Sequence, residues 1–217
     1  MRDVITICLA ALLLGGAARA ADTSDSRALD VFDKVEASRG VKVELVCGAE
    51  SVAVVSGPSA DVADTRTVVS NRTLKIERAA SFFKTVKSDV RVRVTAPVPL
   101  ISIAVSTGAD LSAQPCTLSS DHLDLTASTG AALTLAAKVN RLSLGASTGS
   151  AIRPLPGGRI DGEDVVARAS TGADVRLCKV AHLQGRATLG AAIKIEDSGT
   201  NELGAILGAD VVRQPCT

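Results

Sequence analysis

The amino-acid sequence predicts an all-β fold, a single-domain parallel β-helix (β-solenoid) with an irregular, strand-rich N-terminal half. The string STGAD at 106–110 returns at 170–174, with two near copies between them. Six glycines align these copies at spacings of 22, 19, 23, 18 and 18 residues, which suits one solenoid coil. Around each glycine, apolar residues alternate with small or polar ones, as in a strand with one buried face. The glycines are Gly108, Gly130, Gly149, Gly172, Gly190 and Gly208.

The first twenty residues have the pattern of an export signal. Arg2 precedes an apolar run at 4–14, and Ala18 and Ala20 supply the small residues that a signal peptidase reads. We therefore expect a signal peptide at 1–20 and export to the periplasm, the cell surface or the exterior of a Gram-negative bacterium. No later segment reaches the ~20 apolar residues that a membrane helix needs, so no transmembrane segment is expected in the mature chain.

Balanced charge in the mature chain narrows the range of partners. Without Arg2, Asp3 and Arg19, the 24 basic and 23 acidic side chains fall to 22 of each. Nucleic acids and anionic membranes attract chains with a basic excess, so neither is an expected partner. The chain has no Trp or Tyr and three Phe, so small aliphatic side chains must fill its core.

The N-terminal half is expected to be rich in strands. Residues 21–31 are predicted to be a flexible N-terminus, ahead of one domain at 32–213 and a C-terminal tail at 214–217. Because no Gly-, Ser- or Pro-rich linker interrupts the chain before the repeats, we expect one continuous domain. The segments that alternate as strands do are VKVELV (41–46), SVAVV (51–55), TLKIE (73–77) and DVRVRVT (89–95).

The repeats themselves share a common plan. Apolar residues recur three places after the glycine and, with few exceptions, five and seven places before it, and an alanine usually stands three places before it. Each coil therefore comprises a strand, a corner at Ser-Thr-Gly-Ala, a second strand and a variable return segment. Stacked coils place like residues ~4.8 Å apart in parallel strands. The column after the glycines is Leu111, Leu133, Ile152, Val175, Ile193 and Val211.

Four cysteines remain after removal of the signal. An even number of cysteines in an exported chain favours two disulfides over a metal site, and no CxxC pair supports the metal alternative. Bridged Cα atoms lie within ~7 Å, whereas Cys116 and Cys178 are three coils apart. The register therefore favours bonds from Cys47 to Cys116 and from Cys178 to Cys216.

The corner serines do not form a catalytic or phosphate-binding motif. A serine nucleophile needs a base within hydrogen-bond reach, and His122 and His182 lie in the return segments of different coils. A phosphate loop leads into a helix, whereas strands follow these glycines. We expect no catalytic residue, cofactor or metal, and assign the glycines to corners with positive φ, where Ser and Thr hydroxyls bond neighbouring backbone groups.

Three aspartates in one register are the candidate contacts for a surface ligand. Asp110 and Asp174 have two coils between them and should lie ~14 Å apart, while Asp174 and Asp210 should lie ~10 Å apart. The carboxyl pairs of glycosidases lie ~5 to 9.5 Å apart. The aspartates are therefore interpreted as solvated corner residues, and as the first place to look for a ligand.

The ends of a solenoid expose strand edges and so offer a route to self-association. Phe82 and Phe83, the only adjacent aromatic residues, are expected to cap one end or fill an excursion rather than bind a glycan. Arg213, Gln214 and Pro215 are the candidates for a cap at the other end.

A family resemblance is carried by FDKVEA at 32–37, VKVELV, LKI at 74–76 and VRVRVTAP at 90–97, which lead into the repeats. In these residues the chain resembles the family named “putative auto-transporter adhesin, head GIN domain”, over about residues 30 to 213. The resemblance implies a β-helix-like fold at the cell envelope and no assigned enzymatic activity, and it brings no catalytic or binding residues. The corners depart from the family's Gly-Ser-Gly pattern, because they read Ser-Thr-Gly here.

The leading functional hypothesis is a non-catalytic, exported β-solenoid that acts as a structural or adhesive component of the bacterial envelope, with an unidentified envelope or surface ligand. The alternative is a β-helix protein that binds or cleaves polysaccharide. Acidic residues clustered in one register would favour the cleaving enzyme, and the sequence shows only single, spaced aspartates.

Overall fold

Strands dominate the computed structural model, which describes residues 22–79, 89–97 and 99–216. Within these residues, one continuous sheet winds into a solenoid, and a short helix lies between two of its strands. The predicted all-β solenoid is confirmed, while the predicted signal peptide lies outside the described residues. The elements are β1 (Asp22–Ala28), β2 (Lys34–Ser38), β3 (Lys42–Cys47), β4 (Val52–Pro58), α1 (Ser59–Asp64), β5 (Thr65–Ser70), β6 (Thr73–Arg78), β7 (Arg91–Ala96), β8 (Ser102–Val105), β9 (Asp110–Ala127), β10 (Ala132–Ala146), β11 (Ala151–Pro154), β12 (Ile160–Ser170), β13 (Asp174–Thr188), β14 (Ala192–Ile206) and β15 (Asp210–Arg213).

The strands form two ladders, called here the first and second ladder. The first runs β1-β4-β7-β3-β9-β10-β11-β13-β14-β15. The second runs β5-β6-β2-β8, then through the C-terminal parts of β9 and β10, then β12 and the C-terminal parts of β13 and β14. The long strands contribute to both ladders, and in β10 the register shifts between Thr134 and Ala136, where one ladder gives way to the other.

The apolar columns predicted from the glycine register line the interior. Leu111, Leu133 and Ile152 follow one another along the first ladder, and none has exposed surface. Leu125 and Leu144 form the matching column of the second ladder. Each coil therefore buries the apolar face of its neighbours, and each fully enclosed Leu or Ile stabilises the fold by about 1.5 to 3 kcal/mol.

Each corner is a tight turn with two consecutive residues in the left-handed region. In one of them, Thr148 has φ +51° and Gly149 has φ +69°, and the Ser150 N–H donates to the Ser147 carbonyl. The Gly149 N–H then donates to the carbonyl of Thr171 in the next coil at 2.9 Å. The sequence assigned positive φ to the glycine alone, whereas the structure gives it to the preceding residue as well, as a type I′ turn requires. That residue is threonine at four of the six predicted corners and leucine at the other two.

The corner hydroxyls do not play the predicted part. Within the described chain, the side chains of Ser147, Ser170 and their counterparts make no hydrogen bond, and backbone amides link the coils instead. Ser150 is a buried exception, because it stands where most corners have alanine. Its hydroxyl donates to the Ala127 carbonyl at 2.8 Å and accepts from the Ser147 N–H at 2.9 Å.

A further corner, which is not among the six predicted from the repeats, lies at Gly40. Gly40 has φ +71°, and its N–H donates to the Thr107 carbonyl at 3.0 Å, as at the other corners. The glycine register carried the signal for it, because Val43 lies three places after Gly40, and Ala37 and Val35 lie three and five places before it.

The N-terminal end of the solenoid is closed by antiparallel strands. β1 pairs with β4 and β4 with β7 in the first ladder, while β5 and β6 form a hairpin in the second. The prediction of a flexible terminus at 21–31 is therefore corrected: every residue of Asp22–Ala28 pairs with one of 52–58. Arg27 also donates to the Thr65 carbonyl at 2.7 Å. The physical reason is that β4 presents an open edge, and β1 satisfies its backbone groups.

The coils of the N-terminal half do not stack in chain order. β2 and β3, joined by the corner at Gly40, lie between β6 and β7 on one side and β8 and β9 on the other. The chain therefore forms β2 and β3 first, then places β6 and β7 on one side of them, and finally places β8 and β9 on the other side. Alternation within a strand is the same in any order, so it cannot reveal this arrangement.

Two disulfides join strands that the register brings together. Cys47 of β3 is bonded to Cys116 of β9, with Cα atoms 5.7 Å apart. Cys178 of β13 is bonded to Cys216, with Cα atoms 5.5 Å apart. This is the pairing that the sequence favours. The second bond requires the tail to fold back over β14, where the Gln214 N–H donates to a β14 carbonyl at 2.9 Å.

The C-terminal end is closed on one ladder only. β15 pairs with 192–195 of β14, and among the described residues no strand pairs with the outer edge of 198–206. Ala205 is exposed there, although Ala187, one coil earlier in the same column, is fully buried. Self-association through this edge stays a prediction, and the Phe82–Phe83 pair lies outside the described residues.

Candidate functional site

The three aspartates of the shared register lie along the outer face of the first ladder. No two of them are in adjacent coils, so they form no carboxyl pair of the kind that glycosidases use. Their role as ligand contacts stays a prediction. The order of residues along the ladder is Asp110, Ala132, Ala151, Asp174, Ala192 and Asp210.

Asp174 is engaged with cations from the coils on both sides. Arg153 Nη2 of β11 lies 2.8 Å from its Oδ2, and Lys194 Nζ of β14 lies 3.1 Å from its Oδ1. Only 19% of the Asp174 side chain is exposed. Arg176, opposite Lys194, places a third cation on the same face. Asp174 is thus a counterion that links three coils, whereas Asp110 is exposed and makes no ion pair within the described chain.

Replacement of Asp174 with alanine is expected to lower the free energy of unfolding by about 1 to 2 kcal/mol, because Arg153 and Lys194 lose their shared counterion. Asp110→Ala is the matched control and should change it by less than about 0.5 kcal/mol. Urea unfolding of both variants checks this, and the gap between them should shrink at 1 M salt, where charges are screened. Equal losses would contradict the assignment of Asp174 as the counterion.

Neither histidine has the partners of a catalytic base. His122 Nε2 lies 3.2 Å from Asp124 Oδ1, and His182 Nδ1 lies 3.0 Å from Thr200 Oγ1. Both histidines are exposed, and within the described residues no serine hydroxyl bonds to either ring. Nucleophilic catalysis requires a nucleophile, a base and a group that orients the base, and neither histidine assembles all three.

One group of potential metal ligands lies beside the second disulfide. Among the described residues, Cys178, Glu196 and Cys216 have ligand atoms within 4.8 Å of one another. Both sulfur atoms belong to a disulfide, however, and metal coordination requires thiolates. Glu196 accepts a hydrogen bond from Arg159 at 2.7 Å instead. The group is therefore an ion pair between Arg159 and Glu196 that lies beside a disulfide bond.

Ion pairs between return segments shift the pKa values of two exposed groups. The hydrogen bond to Glu196 raises the pKa of the Arg159 guanidinium above its ordinary value. Hydrogen bonds from Arg141 and Asn140 lower the pKa of the Asp121 carboxyl. Both shifts favour the charged form, which is the opposite of what a general acid or base at neutral pH requires.

The outer face of the first ladder contains a cleft near its N-terminal end. The cleft has a volume of about 470 Å³ and crosses β4, β7, β3 and β9. Lys42 lies opposite both Arg91 and Asp110, and Glu44 lies opposite Arg93. Within the described chain none of these five side chains is in an ion pair, so their charges face solvent. The strand register fixes the spacing of these residues along the backbone, which suits recognition of a polar ligand.

Of the five charged residues in this cleft, only Asp110 was predicted from the sequence as a ligand contact. Asp110 was singled out because it belongs to a repeat, whereas Lys42, Arg91 and Arg93 lie in the irregular half. Alternation places these three on outer faces. Their side-by-side arrangement follows from the insertion of β3 between β7 and β9, which no local pattern shows.

None of the helices within the described residues has the length and apolar character needed to cross a membrane. A family model described as “Putative auto-transporter adhesin, head GIN domain” matches residues 31–211. No relative among curated proteins matches the chain.

The chain is also similar to several solved structures. A “putative adhesin” from Bacteroides fragilis has a TM-score of 0.64 and 13% identity, covering 89% of this chain and 97% of that one. A “putative adhesin” from Parabacteroides distasonis has a TM-score of 0.59 and 13% identity, covering 90% and 95%. A “putative lipid binding protein” from the same species has a TM-score of 0.52 and 10% identity, covering 89% and 96%. At these identities the likeness shows a common fold.

Proposed function

The chain belongs to the family described as “Putative auto-transporter adhesin, head GIN domain”, and from this premise we propose that it is an exported, non-catalytic adhesin-like protein of the bacterial envelope. Its role is to bind a ligand at the envelope or at a neighbouring surface. The twenty N-terminal residues, with Arg2, an apolar run and Ala18-Arg19-Ala20, support export.

The cleft on the first ladder is the observation that carries the binding role. Its charged side chains lie on the three adjacent strands β7, β3 and β9, so their backbone positions are already set before a ligand binds. Further along the same face, Arg153 and Lys194 are both engaged with Asp174. Charges left free in a concave site are available to a polar partner.

The geometry does not favour the polysaccharide-cleaving alternative. Asp110, Asp174 and Asp210 are separated by alanines along the ladder, and Asp174 is engaged by Arg153 and Lys194. A glycosidase needs two carboxyl groups on either side of one bond. Binding without cleavage therefore fits the described residues better.

The test measures binding of the purified, oxidised chain to isolated envelopes and whole cells of the source bacterium. Arg91→Gln with Arg93→Gln should weaken this binding about tenfold or more, since each removed charge-assisted hydrogen bond is worth about 1.5 to 3 kcal/mol. Arg66→Gln with Lys138→Gln is the matched control, because it removes the same charge from two exposed positions outside the cleft.

The location is tested separately by fractionating cells that express the tagged full-length chain. We expect the chain in the periplasmic or surface fraction, shortened by the signal peptide. Retention in the cytoplasm at full length, together with absence of binding to envelopes and cells, would overturn the proposed function. Equal loss in the control variant would show that net charge, and not the cleft, governs binding.

A further inference from the structure

A pair of adjacent arginines lies on the outer face of the second ladder. Arg168 of β12 and Arg186 of β13 occupy directly opposite positions in parallel strands. Both side chains are exposed. Arg168 lies between the buried Ala167 and Ala169, and Arg186 precedes the buried Ala187, so both arginines point outward. Their column stands four places before the corner glycine of each coil. It continues to Gly145 on one side and to Gly204 on the other.

Neither arginine has a counterion. Within the described residues, Arg168 and Arg186 make no ion pair and no side-chain hydrogen bond, and Glu202, two places before Gly204, does not reach either one. Like charges directly opposite each other in a sheet destabilise it. Arg153 shows the contrasting case, because it is ion-paired with an aspartate of the next coil. The repulsion between the two guanidinium groups is therefore uncompensated within the described residues, and a bound anion would relieve it.

The two flanking glycines leave empty space beside the arginines, and packing does not require a glycine at either position. A Cβ added to Gly145 would meet only Thr126 at 3.8 Å and beyond, and one added to Gly204 would meet no atom within 4 Å. Neither glycine has positive φ. Glycine within a strand costs about 0.5 to 1 kcal/mol relative to alanine, and often marks the close approach of a ligand. Gly145 opens a notch beside Arg168.

Unengaged hydroxyls line the same notch. Its volume is about 390 Å³, and small residues form its floor. The side chains of Thr126, Ser147, Ser170 and Thr188 border it and make no hydrogen bond within the described chain. Ligand sites of this type hold a small molecule or one unit of a polymer, since their volumes start at about 300 Å³. The notch combines two cations, four hydroxyls and an open floor.

From this combination we infer that the notch at Gly145, Arg168 and Arg186 binds an acidic sugar unit through its phosphate or carboxylate. Guanidinium groups bind phosphate and carboxylate through paired N–H donors, which gives both strength and orientation. The hydroxyls bind the sugar hydroxyls, and the ring lies over Gly145. An acidic sugar does not depend on an aromatic platform, because charge-assisted hydrogen bonds supply the affinity. The inference rests on the proposed function, since it names the ligand class of an adhesin-like surface.

The experiment measures four probes against the oxidised chain by titration calorimetry and by NMR of the arginine Nε–Hε groups. The probes are glucose 6-phosphate, glucuronate, inorganic phosphate and glucose. We expect at least one acidic sugar to shift the Arg168 and Arg186 signals and to bind about tenfold more tightly than inorganic phosphate. Glucose should produce no shift. The two acidic sugars distinguish a phosphate from a carboxylate as the recognised group.

Three variants locate the binding. Arg168→Gln with Arg186→Gln should weaken binding of the acidic sugar about tenfold or more. Gly145→Val keeps both arginines but fills the notch, so it should abolish sugar binding and leave that of inorganic phosphate unchanged. Arg66→Gln with Lys138→Gln removes the same charge from two exposed positions outside both the notch and the first-ladder cleft, and it should have no effect. Melting curves identify any variant that fails to fold, and Gly145→Val keeps the test valid if the arginine variant does not fold.

Absence of arginine shifts with both acidic sugars would overturn the inference. Equal affinity for inorganic phosphate and glucose 6-phosphate, unchanged by Gly145→Val, would overturn the sugar component. The proposed function is judged by different data: if the Arg168 and Arg186 variant still binds envelopes and no probe binds the notch, the inference fails and the function stands. If the unaltered chain binds no envelope or cell, the function fails whatever the probes do.

Discussion

Gly185→Ala is expected to lower the free energy of unfolding by about 3 to 5 kcal/mol, because it combines backbone strain with overpacking. Gly185 has φ +140°, a conformation that side chains rarely adopt. A Cβ there would also fall inside the van der Waals contact distance of the Ala167 carbonyl oxygen in the neighbouring coil. Backbone cannot yield as the end of a flexible side chain does. Urea unfolding followed by circular dichroism measures the loss.

Gly204→Ala is the matched control for this prediction. Gly204 lies on the neighbouring strand β14, has no positive φ, and has no atom within 4 Å of an added Cβ. Alanine there should change the free energy of unfolding by less than about 1 kcal/mol, with stabilisation the expected sign. Similar losses for both variants would show that glycine is needed throughout this region and that the specific clash at Ala167 is not the cause.

Loss of the bond between Cys47 and Cys116 is expected to cost about 2 to 4 kcal/mol, since it frees a loop between residues 69 positions apart in the unfolded chain. The double variant Cys47→Ser with Cys116→Ser isolates this effect. We expect it to unfold at lower urea concentration with a single transition, because both cysteines pack against the common core. Comparison of the unaltered chain before and after reduction gives an independent measure.

Loss of the second disulfide, in contrast, is expected to release the C-terminal tail before it affects the whole fold. Cys178 and Cys216 are 38 positions apart, and their bond holds the tail against β14 at the partly open end. Their double serine variant should first release the tail, so limited proteolysis should remove residues after β15 before global unfolding. Peptide mapping of the oxidised chain tests both assignments. A bond between Cys116 and Cys178 would contradict the stacking of the coils.

Sequence could predict the stacking of the regular half because a solenoid repeats one local solution. The alternation around Leu133 and its counterparts reports which side chains face inward, and the glycines fix the register between coils. That register placed Asp110 and Asp174 three coils apart, which the strand pairing reproduces. The same register, extended to Gly40, would have identified the remaining corner.

The candidate sites could be predicted less completely from the sequence than the fold. Arg168 and Arg186 occupy matching positions in the repeat, so the register predicts that they are neighbours. That they lack a counterion depends on where Glu202 and the other acidic side chains point, and this is a property of the folded surface. The first-ladder cleft depends further on Lys42 meeting Arg91, which lies 49 positions away in the chain and on a strand that is not consecutive.

The sequence by itself determined the repeated part of this protein: an all-β solenoid, its corners, its inward columns and the pairing of its cysteines. Periodic side chains suffice for this, because each coil contacts only its neighbours and every coil solves the same packing problem. Tertiary structure alone decided the order of strands in the N-terminal half, where β2 and β3 are inserted between later strands and β1 joins antiparallel to β4. In those pairings, a distant segment of the chain supplies the backbone hydrogen-bond partners of an open strand edge. Alternation within one strand does not specify the edge with which that strand will pair.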